Sequence, residues 1–329
     1  MAAYTTIDDP GLYFEVQLRS GLYGGSDTAF NIGFQPDMIW DKKRSGTGVH
    51  SLFDSVRGFG ASGKVLYPHT NDDEVTNALI DSVSSTGYTI TASSDDTGDM
   101  VDWCWKESAT AGFDIISYAG NATNRTIAHN LSAVPHVMLI KSRGAELSWR
   151  MYHHKNTSAP ETDHLKLDTD DGTADDDSMW NDTSPTSSVF SLKTSTSVNG
   201  SSDDYIAYVF TAKQGYSKFG YYTGNANADG PFVFLGFRPA WIMLKRTDNN
   251  GQSWSIFDYK RDGYNVDNDT LYADTNDAEA TTDVLDFLSN GFKIRANRTD
   301  SNASGANYIY LAFAEAPFVN SNGVPCNAR

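Results

Sequence analysis

Cysteine is nearly absent: 329 residues contain two, Cys104 and Cys326. One lies in the apolar run VDWCWKE and the other in the terminal VPCNAR, and their spacing suggests no disulfide framework. No run of eighteen apolar residues occurs, so no membrane-spanning helix is expected. Basic residues are scarce, with 25 Lys and Arg against 42 Asp and Glu, for a formal net charge of −17. So acidic a surface repels phosphates and anionic lipids, which makes nucleic acid and membranes unexpected partners. Heptads and Gly-X-Y repeats, which set register in many trimeric fibres, are missing too. The opening residues MAAYTTIDDPG lack the basic and apolar regions of a secretory signal, so synthesis and assembly in a cytoplasm are expected.

What remains is rich in turn formers and aromatics. Hydrophobic residues make up 39% and aromatics 12%, enough to build cores, while Ser, Thr, Asn, Asp and Gly dominate the polar part. Short apolar runs rich in Val, Ile, Phe, Tyr and Trp are separated by Gly, Asn, Asp and Pro clusters. This pattern predicts an all-β chain of sandwich or barrel type. Short helices are conceivable only in DEVTNALIDSV (73–83) and DAEATTDVLDFLS (277–289).

One phrase is written three times: GFQPDMIWDKK (33–43), SAVPHVMLIKS (132–142) and GFRPAWIMLKR (236–246). Pro36, Pro135 and Pro239 align, as do Lys42, Lys141 and Lys245, and the prolines are 99 and 104 residues apart. Other landmarks keep the same order. SLFD, WRMYH and WSIFD come next, then LYPHTNDDE, LKLDTDDGT and LYADTNDAE, then GYTI, VFSL and GFKI. Each copy closes on an apolar run: VDWCWKE, YIAYVFTA and YIYLAFAE. The reading is an internal triplication into three tandem β-sandwich, jelly-roll-like domains at 12–109, 110–214 and 215–318. An N-terminal arm (1–11) and a C-terminal tail (319–329) flank them. The short joins imply a stiff rod or a compact triplet. Each proline fits a strand entrance, and each lysine is expected where its strand reaches solvent. The glycines of YAGN and YTGN are expected at turns with positive φ.

No catalytic constellation stands out. The acidic stretch LDTDDGTADDD (167–177) does not match a calcium-binding loop and reads as solvated. His153 and His154 are adjacent and would point to opposite faces of a strand, so they would not share a metal. Among 42 acids no pair is singled out for glycoside cleavage, and there is no nucleophile elbow or phosphate loop. The expectation is a non-enzyme with no cofactor and no metal. Two loop aromatics, Trp180 and Tyr264, are the candidate ligand-binding residues, because an exposed ring can stack on a sugar.

The start MAAYTTIDDPGLYFEVQL, the phrase GFQPDMIWDKKRSGTGVHSLFDSVRG, the stretch NDTSPTSSVFSL and the run GYSKFGYYTGNANADGPFVFLGFRPAWIMLKR resemble a repeat family in virion proteins of tailed bacteriophages, of the marine and cyanobacterial phage type. The resemblance covers residues 1–318. It implies a structural protein of the virion, a tail fibre or tail-associated appendage that attaches to the host surface. A capsid decoration protein is the alternative, and a virion polysaccharide depolymerase ranks third. Its expected partners are other virion proteins, met through the arm and the first unit, host-surface glycans, and further copies of itself. The first unit departs from the pattern, since SSDDTGDMVDW is shorter than SVNGSSDDYIAY or SNASGANYIYL.

Overall fold

Runs of β-branched and aromatic residues bounded by Gly, Asn and Pro form strands along the whole chain, and the protein is all-β. The structure, a computed structural model, describes residues 4–22, 25–92, 97–261, 265 and 267–326. The helices expected at 73–83 and 277–289 do not form. Val75–Thr76, Ile80–Ser84 and Ala280–Leu288 are strands instead. The last of these turns back at Ser289 and Asn290 to pair with Gly291–Ile294, and this cross-strand pairing overrides a weak local helix preference.

One strand arrangement occurs three times. An opening strand (Phe14–Ser20, Phe113–Ala119, Ser217–Thr223) pairs antiparallel with a closing strand (Asp99–Trp105, Asp204–Phe210, Asn307–Pro317). The other edge of the closing strand pairs with a core strand (Met38–Lys43, Val137–Ser142, Phe237–Arg246). The core strand then forms a hairpin with a fourth (His50–Asp54, Arg150–His153, Ser255–Asp258). These four strands define the first, second and third sets. Pro36 and Pro135 stand two residues before their core strands, and Pro239 sits at a bulge inside its own, where no ladder bond is lost. Outside each inner sheet lie shorter pairings such as Thr28–Asn31 with Gly87–Ile90, Arg125–Ala128 with Val189–Leu192, and Phe232–Phe234 with Gly291–Ile294. In the third set the outer strands join the inner sheet, making a nearly closed sheet of eight.

The inner sheets are covered on both faces. Along the closing strands, Asp102 and Cys104, Ala207 and Val209, and Tyr310 and Ala312 are buried toward the outer strands of their own set. Trp103 and Trp105, Tyr208 and Phe210, and Leu311 and Phe313 point the other way, into a single core that all three sets share. Aromatic edges meet across that core: Trp105 lies 5.6 Å from Trp241 and 5.7 Å from Phe313, and Phe210 lies 5.9 Å from Phe313. The three strand sets pack on this one core and do not lie along a rod. The arm packs on it too, with Ile7 buried and the Tyr4 hydroxyl donating to Gly236 O at 2.9 Å.

Gly120 and Gly224, in YAGN and YTGN, are not at positive φ. They are needed for close approach. A Cβ on Gly120 would lie 1.9 Å from Gly200 O, and one on Gly224 would lie 2.2 Å from Ala303 O.

Candidate functional site

The three repeated lysines do not reach solvent; all are fully buried. Each core strand runs alongside the neighbouring set at its end, and the ammonium is spent on backbone carbonyls there. Lys42 Nζ donates to Lys43 O and Gly48 O, and across the seam to Asp277 O of the third set, each at 2.8 Å. Lys141 Nζ donates to Ser142 O, Ala145 O and, in the first set, Asn71 O. Lys245 Nζ donates to Gln252 O and to Asp170 O of the second set. The links run first to third, second to first and third to second, so the ring closes. Burial pulls each ammonium down to about 8.

Ion networks reinforce two of the seams. Between the first and second sets, Asp54 accepts from Arg57 at 2.5 Å and from the Tyr208 hydroxyl at 2.6 Å. Glu74 accepts from Arg143 across the seam at 2.9 Å, with Arg57 3.6 Å behind it. Between the third and first sets, Asp258 accepts from Arg261 at 2.6 Å and from Trp103 Nε1 at 2.9 Å, while Glu279 bridges Arg261 and Arg44. The same positions between the second and third sets hold His153, Leu311, Asn156, Thr173 and Thr247. With no donor on Leu311, the aspartate is replaced by His153, whose Nε2 meets Tyr310 O at 3.3 Å. Burial holds this imidazole down to about 3, so it is neutral.

Two openings mark where the sets differ. In the second set Asn199 is buried in the loop before the closing strand. Its Nδ2 donates to Thr123 O and Lys193 O, and its Oδ1 accepts from Asn121 N. Asn302 does the same in the third set. A stacked tyrosine pair holds each loop, Tyr118 with Tyr205 at 5.3 Å and Tyr222 with Tyr308 at 5.0 Å. In the first set these paired positions are Arg19 and Met100, and the loop is shorter. The first set also carries a groove of about 640 Å³, lined by Asp41, Lys43, Tyr67, Asn77 and Met100 among others. Arg19 turns into the sheet, bonding Asp102 at 2.9 Å and Asp41 at 2.5 Å, where the second set carries apolar Ala207 and Ile140 and the third Tyr310 and Leu244. The second opening, about 480 Å³, lies at the neutral seam between the second and third sets.

The residues singled out in the sequence fall elsewhere. Trp180 is not an exposed loop ring. It is 1% exposed in the core of the second set, with Nε1 donating to Asp163 O at 2.9 Å, because the DDDSMW turn folds back over the strands it connects. Tyr264 lies outside the described residues. The stretch 167–177 is only partly solvated: Leu167 is buried and Asp168 accepts from Trp149 N, while Asp175 and Asp177 are exposed. His136 and His154 are edge to face at 4.3 Å, and His154 Nε2 meets Phe219 O at 2.9 Å. Among the described residues no three His, Cys, Asp or Glu side chains converge as a metal site, and no helix is long and apolar enough to cross a membrane. Both cysteines are free thiols, Cys104 buried and Cys326 exposed. The sequence aligns His153 with Asp54 and Asp258 as a polar strand-end position; that this position lies at a seam, facing Leu311, Tyr208 or Trp103, is given only by the fold.

The search of curated proteins returned no match. A single family model spans the three strand sets together, from the turn before the first opening strand to the end of the last closing strand, and the chain belongs to that family, described as Domain of unknown function (DUF7483) and matched over residues 9–317.

Proposed function

We propose that this chain is a structural protein of a bacteriophage virion, a tail fibre or tail-associated appendage that takes part in host-surface attachment. We also propose that its strand sets are three tandem β-sandwich domains descended from an internal triplication. The observation that carries the reading is the closed ring itself. Every repeated motif is spent on seams and cores, and the loops where the sets differ remain as the contact surface. The resemblance of residues 1–318 to phage virion repeat proteins supplies the biological setting. A rigid body shown in several copies turns weak contacts into avidity. Thr6, Asp8 and Asp9 are the exposed side chains of the described part of the arm and are offered for mounting on a virion neighbour. Copies of the chain would associate through outer faces, since the shared core already occupies the axis. Gold labelling of intact particles with an antibody to the protein tests the reading. Label on the tail is expected; label on the head would overturn it in favour of capsid decoration, and no label on particles would remove it from the virion.

A further inference from the structure

The seam between the second and third sets is unlike the other two, and we propose that its cleft binds a neutral sugar residue through adjacent hydroxyl groups. At the other seams the matching space is filled by Arg57, Glu74 and Arg143, or by Arg261, Glu279 and Arg44. Here all three positions change together, to Asn156, Thr173 and Thr247. Two guanidinium groups and a carboxylate give way to one shorter amide and two hydroxyls, none of them charged. The result is the opening of about 480 Å³, within the roughly 300–1,000 Å³ of small-molecule sites.

The walls are built for a polyhydroxylated guest. Asn156 is 7% exposed. Its Oδ1 accepts from Thr173 Oγ1 at 2.7 Å, and its Nδ2 has no partner among the described residues. A buried donor left without an acceptor is costly, and a ligand oxygen would satisfy it. Around it stand Asn249, Asn250 and Asn307, together with the Asp248 carboxylate, which Arg246 Nε holds at 2.6 Å. Amides that donate and accept side by side match neighbouring hydroxyls, each of which also does both. No Lys or Arg lines the cleft, which disfavours phosphate or sulfate, and Asp248 alone is too little carboxylate for a divalent cation. Gly172 shapes the floor, because a Cβ there would lie 3.0 Å from Thr247 O; the first and third sets carry Asp73 and Ala278 at this position.

The proposal rests on the attachment reading only for where the sugar comes from. The test is an NMR titration of the full chain with methyl glycosides of glucose, galactose, mannose and N-acetylglucosamine, with calcium chloride in a separate arm. At least one glycoside is expected to shift the side-chain amide signals of Asn156 and the backbone amide of Gly172. Asn156→Leu should weaken that response at least tenfold, and the combined Asn156→Arg, Thr173→Glu and Thr247→Arg variant should abolish it. Silence toward all four glycosides, a response to calcium alone, or undiminished binding by Asn156→Leu overturns the proposal. Sugar binding by a protein absent from particles would instead overturn the virion reading and leave the site standing.

Discussion

Lys141 illustrates how a charged side chain becomes a structural bolt. Its ammonium spends its hydrogens on three carbonyls of two strand sets, with little solvent to replace them. Lys141→Met keeps the stem but leaves those carbonyls without a donor, so it should cost about 2–4 kcal/mol. Urea denaturation measures this, and a loss under 0.5 kcal/mol would refute the role. Histidines set the acid limit. Burial holds His153 down to about 3, holds His69, His136 and His164 down to about 4, and keeps His50 well below its ordinary range. They stay neutral in the fold but charge near 6.5 in the unfolded chain. The unfolded state therefore binds more protons below 6.5, and stability falls as the pH drops from 6.5 toward 4. Glu107, raised to about 7 by burial and by Asp114, works in the opposite sense over part of that window. Denaturation midpoints at pH 7 and pH 4.5 should show the net loss; an unchanged midpoint would contradict it.

At the scale of elements, the seams are alike in backbone and unlike in side chains. Glu74 N donates to Arg143 O, Thr173 N to Thr247 O, and Glu279 N to Arg44 O, each across its seam at 2.8–2.9 Å. Only two of these are backed by charge. Glu279→Ala should cost about 3 kcal/mol, because Arg261 and Arg44 lose their shared carboxylate, while Thr173→Ala should cost under about 1 kcal/mol. Equal costs from the same denaturation assay would show that the network adds nothing. Much at this scale was legible in the sequence, since the apolar runs and closing strands lie where their wording put them and Pro36 and Pro135 precede their core strands, while Pro239 falls at a bulge inside its own. The lysines were misplaced because strand periodicity says which way a side chain points and nothing about what lies beyond the strand end. Trp180 was misplaced for a similar reason: a polar flank looks like an exposed loop until the loop folds over a core.

For the whole molecule, the shared core decides the behaviour. Trp103, Tyr208 and Leu311 belong to different sets yet pack in one cluster, so the sets should not melt separately. Calorimetry should give a single transition with calorimetric and van't Hoff enthalpies in agreement. A fragment of residues 1–214, which leaves two faces of that core bare, should be molten or aggregated. A monomeric, cooperatively folded fragment would refute the shared core.

The sequence by itself determined the all-β class, the order of the strands and the threefold recurrence of the landmarks, because alternation, turn residues and repeated phrases are local properties. Only the tertiary structure decided that the sets close into a ring, that the lysines act as bolts, and that one seam is left open. Those outcomes depend on which side chains meet across seams from segments 70 to 235 residues apart, and no local pattern encodes such a meeting.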